Sequence, residues 1–278
     1  MTPEWLTVVA WIYLSVCFCC AVVVAYDIVV NQRRQQMAIM NVVYPVTALY
    51  FGPIALAFYW RWARAPSRSA MTAMSGAMAS VEVTAASSRG GDVTHGHGFG
   101  HGFGHGGGAA GAAESGGRDQ PTASGARGRP RWAAMAIEVS HCGSGCALGD
   151  VVSEFAIFWL AVTIAGTTLL AEYAGDYVAA LAFGILFQYF AIAPMRGLGV
   201  RDGLIAATKA DFISLTAFEI GLFGWMAIMS YVLFPSPHQL ATSSAAFWFL
   251  MQIGMIIGFV TSWPANVWLV RRGIKVPI

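Results

Sequence analysis

Charge is what this chain has least of. Only 11% of its 278 residues are Asp, Glu, Lys or Arg, against about 25% in an ordinary soluble domain. With 57% hydrophobic residues, it has too little charge to cover a water-facing surface, so most of its exterior is expected to meet lipid. Histidine is scarce outside one repeat. The two others, His141 and His238, fall outside the predicted spans, which argues against a haem held between helices and leaves a hydrolase triad without its base. No glycine-rich phosphate loop follows a strand, which argues against ATP-driven transport by this chain. The net charge of +2 implies no nucleic-acid partner, because the basic residues sit beside apolar runs rather than in a patch.

What is present is a series of long apolar runs. A spanning helix needs about 20 mostly apolar residues for a hydrocarbon core roughly 30 Å thick. Trp5–Val30, Met37–Trp60, Ala147–Leu170, Tyr177–Pro194, Phe212–Phe234 and Ala246–Val270 meet or approach that length. The expected fold is therefore all-α, a polytopic transmembrane bundle of about six spans. No basic residue precedes the first run and no small-x-small site closes it, so it is expected to stay in the mature protein. The second contains Pro45 and Pro53, which bundle helices tolerate when neighbours satisfy the freed carbonyls.

The chain divides into a two-span hairpin (1–64), an Ala/Gly/Ser/His-rich loop (65–135) and a four-span block (136–278). The loop cannot bury enough apolar surface to offset chain entropy and is expected to be disordered. It carries the repeat His95-Gly-His97-Gly-Phe-Gly-His101-Gly-Phe-Gly-His105, an auxiliary metal loop able to hold an ion weakly through neutral imidazoles, or else a plain spacer. Basic residues in alternate loops (Arg61, Arg64 and Arg68; Arg196 and Arg201; Arg271, Arg272 and Lys275) predict both termini in the cytoplasm, with Arg33 and Arg34 dissenting. The predicted location is a bacterial inner membrane, multi-pass.

The densest set of chemically active side chains is Ser140-His141-Cys142-Gly-Ser-Gly-Cys146-Ala-Leu-Gly-Asp150, followed by Glu154. On a helix, Cys142, Cys146, Asp150 and Glu154 share a face. His141, Cys142, Cys146 and Asp150 could supply four ligands to a soft or borderline ion such as copper or zinc. The intervening glycines allow a loop instead, and packing cysteines are the plainer alternative. Cys17, Cys19 and Cys20 sit in mid-span, where small apolar packing explains them, and Cys142 and Cys146 are expected to face a reducing compartment.

Acidic groups within spans form the second signal, since a charge at mid-bilayer costs about 2.5–3.5 kcal/mol on insertion scales and normally has a partner or a purpose. Glu154 and Glu219 each fall about seven residues, and Gln188 about six, from the predicted cytoplasmic ends of their spans, roughly 10 Å below the interface. That common depth predicts one shared polar site on a transport pathway. Asp27 is expected at an interface with Arg33 or Arg34, and Lys209 with Asp211 as a local pair. Met251 and Met255, one turn apart, are candidate thioether ligands, with ordinary core packing as the alternative.

Several stretches resemble a bacterial inner-membrane family known only as domain of unknown function 4396. They are Met40 to Pro53, His141 to Asp150, Phe187 to Gly197, Lys209 to Asp211, and Ser262 to Asn266 with Arg271-Arg272-Gly273. The resemblance implies a helical membrane fold and no particular activity, and the 65–135 loop is extra to that core.

These readings predict a transition-metal permease or handling protein. His141, Cys142 and Cys146 capture the ion, and Asp150, Glu154 and Glu219 pass it on or exchange it for protons. The alternatives are a membrane thiol oxidoreductase or sensor using Cys142 and Cys146, and a non-catalytic assembly subunit. Expected partners are the lipid bilayer and the metal ion, with a homo-oligomer open and nucleic acid excluded.

Overall fold

A computed structural model describes residues 3–35, 37–66, 129–197 and 199–275. The histidine repeat lies outside the described residues. Every regular element among the described residues is helical. The helices are α1 (Glu4–Val29), α2 (Met40–Phe51), α3 (Pro53–Phe58, prolonged by a π-helical turn Tyr59–Ala63), α4 (Arg131–Leu160), α5 (Thr168–Arg196), α6 (Val200–Ile228, prolonged by Met229–Leu233) and α7 (Ala245–Arg271). Among the described residues, four stretches are long and apolar enough to cross a membrane: Glu4–Val29, Thr168–Ala191, Val200–Leu233 and Ala245–Arg271. Their outer faces carry large exposed apolar side chains, among them Trp11, Phe18, Val178, Ile220 and Val260.

The third predicted run, Ala147–Leu170, is set differently. The helix begins at Arg131 and stops at Ala161, whose left-handed φ of 49° turns the chain toward α5. Hydropathy missed its first half because Glu138, His141, Gly143 and Gly145 dilute the apolar signal, yet that half is buried among other helices. The glycines belong to the helix interior and let backbones touch. A Cβ on Gly145 would lie 2.7 Å from the Cα of Gly184, and one on Gly149 would lie 2.5 Å from the nitrogen of Ala180. This small-xxx-small spacing brings antiparallel α4 and α5 into backbone contact. A second such pair, Gly254 and Gly258 of α7, packs on Leu222 and Phe218 of α6.

The second predicted run is not one continuous helix. α2 descends from the level of Asp27 along α1 until Gly52, whose φ of 54° and ψ of −125° reverse the chain before Pro53 opens α3. Gly52 lies against Cys17, near the middle of α1. The chain then climbs back, so that Tyr59 donates to Asp27 Oδ2 (3.0 Å) and packs its ring at a tilt against Tyr44 (5.4 Å), and Arg64 meets Asp27 through Nε (2.8 Å) and Nη2. Gln35 donates to Ala63 O and Arg33 to Ala65 O. Residues 40–63 thus form a V whose limbs are roughly 18 and 16 Å long, each about half a bilayer. Asp27 pairs chiefly with Arg64, with Arg33 more distant at 3.9 Å.

The bend supports a direct test. Gly52→Ala places a Cβ 2.8 Å from Cys17 Sγ in a left-handed backbone region, and strain of this kind costs on the order of 1–3 kcal/mol. The expected result is a thermal midpoint lowered by several degrees in detergent. Adding Cys17→Ala should recover the steric part and leave the backbone part.

Candidate functional site

α4 carries one polar stripe along its buried side. Glu138, Cys142, Cys146, Asp150 and Glu154 recur every four residues, and all are at most 1% exposed. The stripe is about 24 Å long at 1.5 Å per residue, most of the thickness of a bilayer core. The helices packed around α4 add polar groups at each level.

At the α4 N-terminal end lies a charged knot. Lys275 Nζ donates to Asp211 Oδ1 (2.7 Å) and Asn266 Oδ1 (2.9 Å), and forms an ion pair with Glu138 Oε1 (2.9 Å). Asn266 Nδ2 donates to Ser214 Oγ (2.6 Å), and that oxygen lies 3.0 Å from Cys142 Sγ. Burial alone would lower the Lys275 ammonium, but Asp211 and Glu138 outweigh it and hold the group above its ordinary range. A lysine raised in this way contributes its stabilisation fully below its unfolded value and loses it only above the raised one. The pair therefore persists through the whole neutral and alkaline working range. Asp211 finds its cation 64 positions along the chain, and not at Lys209, which is exposed.

His141 is fully buried beside this knot, within electrostatic reach of Glu138, Asp211 and Lys275. Neither ring nitrogen has a hydrogen-bond partner, and the ring packs edge-on toward Phe187 at 6.3 Å. It lies within a helix of the bundle, where the sequence pattern had placed it outside any span.

The tip of the V touches the middle of the stripe. Thr47 and Ser144 hydroxyls lie 3.1 Å apart, and Ser144 donates to Val43 O (3.1 Å). The Tyr50 hydroxyl is buried without a hydrogen-bond partner and sits within electrostatic reach of Cys142 and Cys146. Both cysteines are free thiols, almost wholly buried.

Toward the other end the path becomes acidic. Asp150 of α4 lies in reach of Glu219 from α6, Asp176 from α5 and Glu154 one turn on. Cys146 adjoins Glu219 and Asp150. All four carboxyl groups are buried, and none of their eight oxygens has a hydrogen-bond partner among the described residues. No described Lys or Arg pairs with them. Ser153 borders Asp176 and Thr242 borders Glu154, while half-buried Glu172 lies beside both acids nearest the end of the bundle.

The predicted site is thus partly rearranged. Cys142, Cys146, Asp150 and Glu154 do share one helical face, and Glu219 joins them. Gln188 does not, because α4 starts sixteen positions earlier than the hydropathy run. Glu154 consequently sits toward the C-terminal end of α4, whereas Gln188, next to Phe187, lies at the level of His141. Its Oε1 is buried and unpaired there. Met251 and Met255 pack in the apolar core with Leu222, Met226 and Phe247, which accounts for them without ligation. Among the described residues, no group of three His, Cys, Asp or Glu side chains is disposed to hold a metal ion. The donors line a path instead of closing on a point.

Sequence reading missed Glu138, Asp176, Asp211, Lys275, Ser214, Asn266 and Tyr50. Glu138 was accessible, since it extends the four-residue spacing of Cys142, Cys146 and Asp150 backward by one turn. Asp176 was hidden by its assignment to a loop, although α5 begins at Thr168. The remaining pairings join residues distant in the chain.

No curated protein and no solved structure matches the chain. A family described as a domain of unknown function, number 4396, matches residues 131–275, that is, from the first residue of α4 to Lys275 itself. The match covers the block that holds both polar clusters and leaves out α1 and the V, to which the resemblance had extended. The chain belongs to the domain of unknown function 4396 family.

Proposed function

We propose that this protein is a membrane cation permease that moves a divalent transition-metal ion against protons along the α4 stripe. The observation that carries the reading is the cluster of Asp150, Glu154, Asp176 and Glu219, buried in an apolar bundle with no described Lys or Arg beside it. Removing a single carboxylate from water costs several kcal/mol even after relaxation. Four together need charge balance from protons or from a passing cation. Carboxylate oxygen with the Cys146 thiol suits a borderline divalent ion of the zinc class better than Cu(I), which prefers thiolate and thioether. Deep burial of Cys142 and Cys146 supports passage over thiol exchange, which needs an accessible thiolate.

The membrane arrangement follows from the V. α1 and α4–α7 make five crossings, and the V is a sixth, re-entrant segment whose backbone is covered by protein. It brings Arg33, Arg34, Arg61 and Arg64 to the end where Trp132 packs on Phe58 and Trp62. Arg131, Arg196, Arg201, Arg271, Arg272 and Lys275 lie at that same end of their helices. No described residue at the opposite end is Lys or Arg. By the positive-inside rule this distribution supports a C-terminal end in the cytoplasm of an inner membrane, with the start of α1 on the far side. The alternative of two cytoplasmic termini counts Met37–Trp60 as a full crossing.

The test is reconstitution of the full chain in liposomes containing a zinc indicator and a pH indicator. Imposed Zn²⁺ should enter with opposite proton movement, and an imposed pH gradient should drive Zn²⁺ uphill. Vesicles that move neither ion above protein-free controls remove the proposal.

A further inference from the structure

The α4 stripe is closed at its middle. Polar groups reach it from the charged knot as far as Cys142, through Asn266 and Ser214. Acidic groups reach it from the other end as far as Cys146. At the level of these two thiols the V delivers one large side chain. Tyr50 is 1% exposed, and its hydroxyl is buried without a hydrogen-bond partner. A Cβ built on Gly143 would lie 3.2 Å from that hydroxyl and 3.0 Å from Cε2 of Phe218. Both rings therefore come down on one spot of α4 that carries no side chain. Tyr50, Phe218, Cys142 and Cys146 belong to a single buried apolar cluster. An ion crosses this level only by displacing a ring.

One of the two rings is mounted to move. Phe218 belongs to the continuous helix α6, and its other edge is wedged on α7, where a Cβ on Gly258 would lie 3.0 Å from Cδ1 and Cε1. Tyr50 rides instead on the last turn of a half-helix. Thr47 and Ser144 fasten α2 to α4 just before it, and Gly52 breaks the chain just after it. The carbonyls at such a helix end need partners, and two side chains supply them. Tyr13 of α1 donates to Tyr50 O (2.8 Å), and Gln252 of α7 donates to Leu49 O (2.7 Å). Releasing both bonds frees one turn of backbone and no whole helix. The closed position also leaves the Tyr50 hydroxyl unsatisfied, a cost that ends when the ring swings out to water or to a cation.

We infer that Tyr50 is the gate of the α4 path, closing it against Phe218 between the charged knot and the acidic cluster, with Tyr13 and Gln252 as positioning residues that hold it shut. The purpose of the gate rests on the permease reading. Gly143 is its seat, since any side chain there would occupy the place where the two rings meet. The unpaired hydroxyl keeps the closed state shallow enough to open.

The test measures thiol access, and so does not depend on transport. The purified full chain is treated with N-ethylmaleimide, and alkylation of each cysteine is read by peptide mass spectrometry. Exposed Cys19 is the reference for reagent activity, and Cys20, buried in the separate cluster around α1 and the V, is the reference for general loosening. Alkylation of a buried thiol follows the population of the open state, so Tyr13→Phe combined with Gln252→Leu should speed it at Cys142 and Cys146 at least about tenfold and leave Cys20 unchanged. Tyr50→Phe keeps the ring and removes the unpaired hydroxyl, so alkylation of both should slow about fivefold while the thermal midpoint rises. Tyr50→Ala should exceed the double variant in rate, and if it fails to fold the other two variants decide. Unchanged rates in the double variant, equal acceleration at Cys20, or a Tyr50→Phe chain alkylated as fast as wild type would each make Tyr50 a packing residue and overturn the inference. Zinc flux with these rates unmoved sinks the gate alone, and the expected rates without zinc flux sink only the permease reading.

Discussion

Gly149→Leu should leave no assembled bundle. The new Cβ would sit 2.5 Å from the nitrogen and 2.7 Å from the Cα of Ala180. Both are backbone atoms, so no rotamer change relieves the overlap, and α4 must part from α5. Overpacking against side chains costs about 1–3 kcal/mol, and a clash between two helix backbones exceeds that range. Total stability is on the order of 5–15 kcal/mol, and parting the helices also breaks the Gly145–Gly184 contact one turn away. Size-exclusion chromatography in detergent should show loss of the monodisperse peak. Gly224→Leu is the control, because a side chain there meets open space and should be neutral or stabilise by up to about 1 kcal/mol through helix propensity. Equal behaviour of the two variants would mean that α4 and α5 do not pack through their small residues.

The same glycines explain why part of the fold was legible in sequence and part was not. Helices long and apolar enough to cross a membrane announce themselves by hydropathy, as α1, α5, α6 and α7 do. Most of α4 between Ile137 and Glu154 is buried against its neighbours, so its composition there follows their polar groups and backbone approach. Its glycines read equally as a loop until a second small-residue row is placed against them. The four-residue spacing of Cys142, Cys146, Asp150 and Glu154 was legible because it depends on one helix only. The depth of Glu154 was not, since it depended on where that helix starts.

Residues 40–63 have enough apolar length to span, and only the conformation of Gly52 divides them. A glycine before a proline inside an apolar run is compatible with a kink as well as with a reversal. What decides is the docking of Arg64 on Asp27 and of Tyr59 on Tyr44, contacts between residues 15 to 37 positions apart. In the proposed arrangement, with residues 40–63 re-entrant, Arg33 and Arg34 fall at the same end as the other basic residues. The pairing of Lys275 with Asp211 and Glu138 is non-local in the same sense, and Lys209 was the nearer but wrong partner.

Asp150→Asn and Glu219→Gln should each abolish cation movement while making the protein more stable. In a structural network, cutting one member normally destabilises, because a partner is left unsatisfied. Here the partners are other acids without hydrogen bonds, so neutralising one relieves repulsion in a low-dielectric site. The expected gain is about 1–3 kcal/mol, of the size seen when a functional site is relaxed, read as a thermal midpoint raised by several degrees. Zinc flux in liposomes should fall at least about 100-fold, equivalent to about 2.7 kcal/mol on the barrier, because the amide can neither carry a proton nor balance a cation. Amide variants that lose stability and keep flux would show the four carboxyl groups to be packing elements, and the α4 stripe would then conduct nothing.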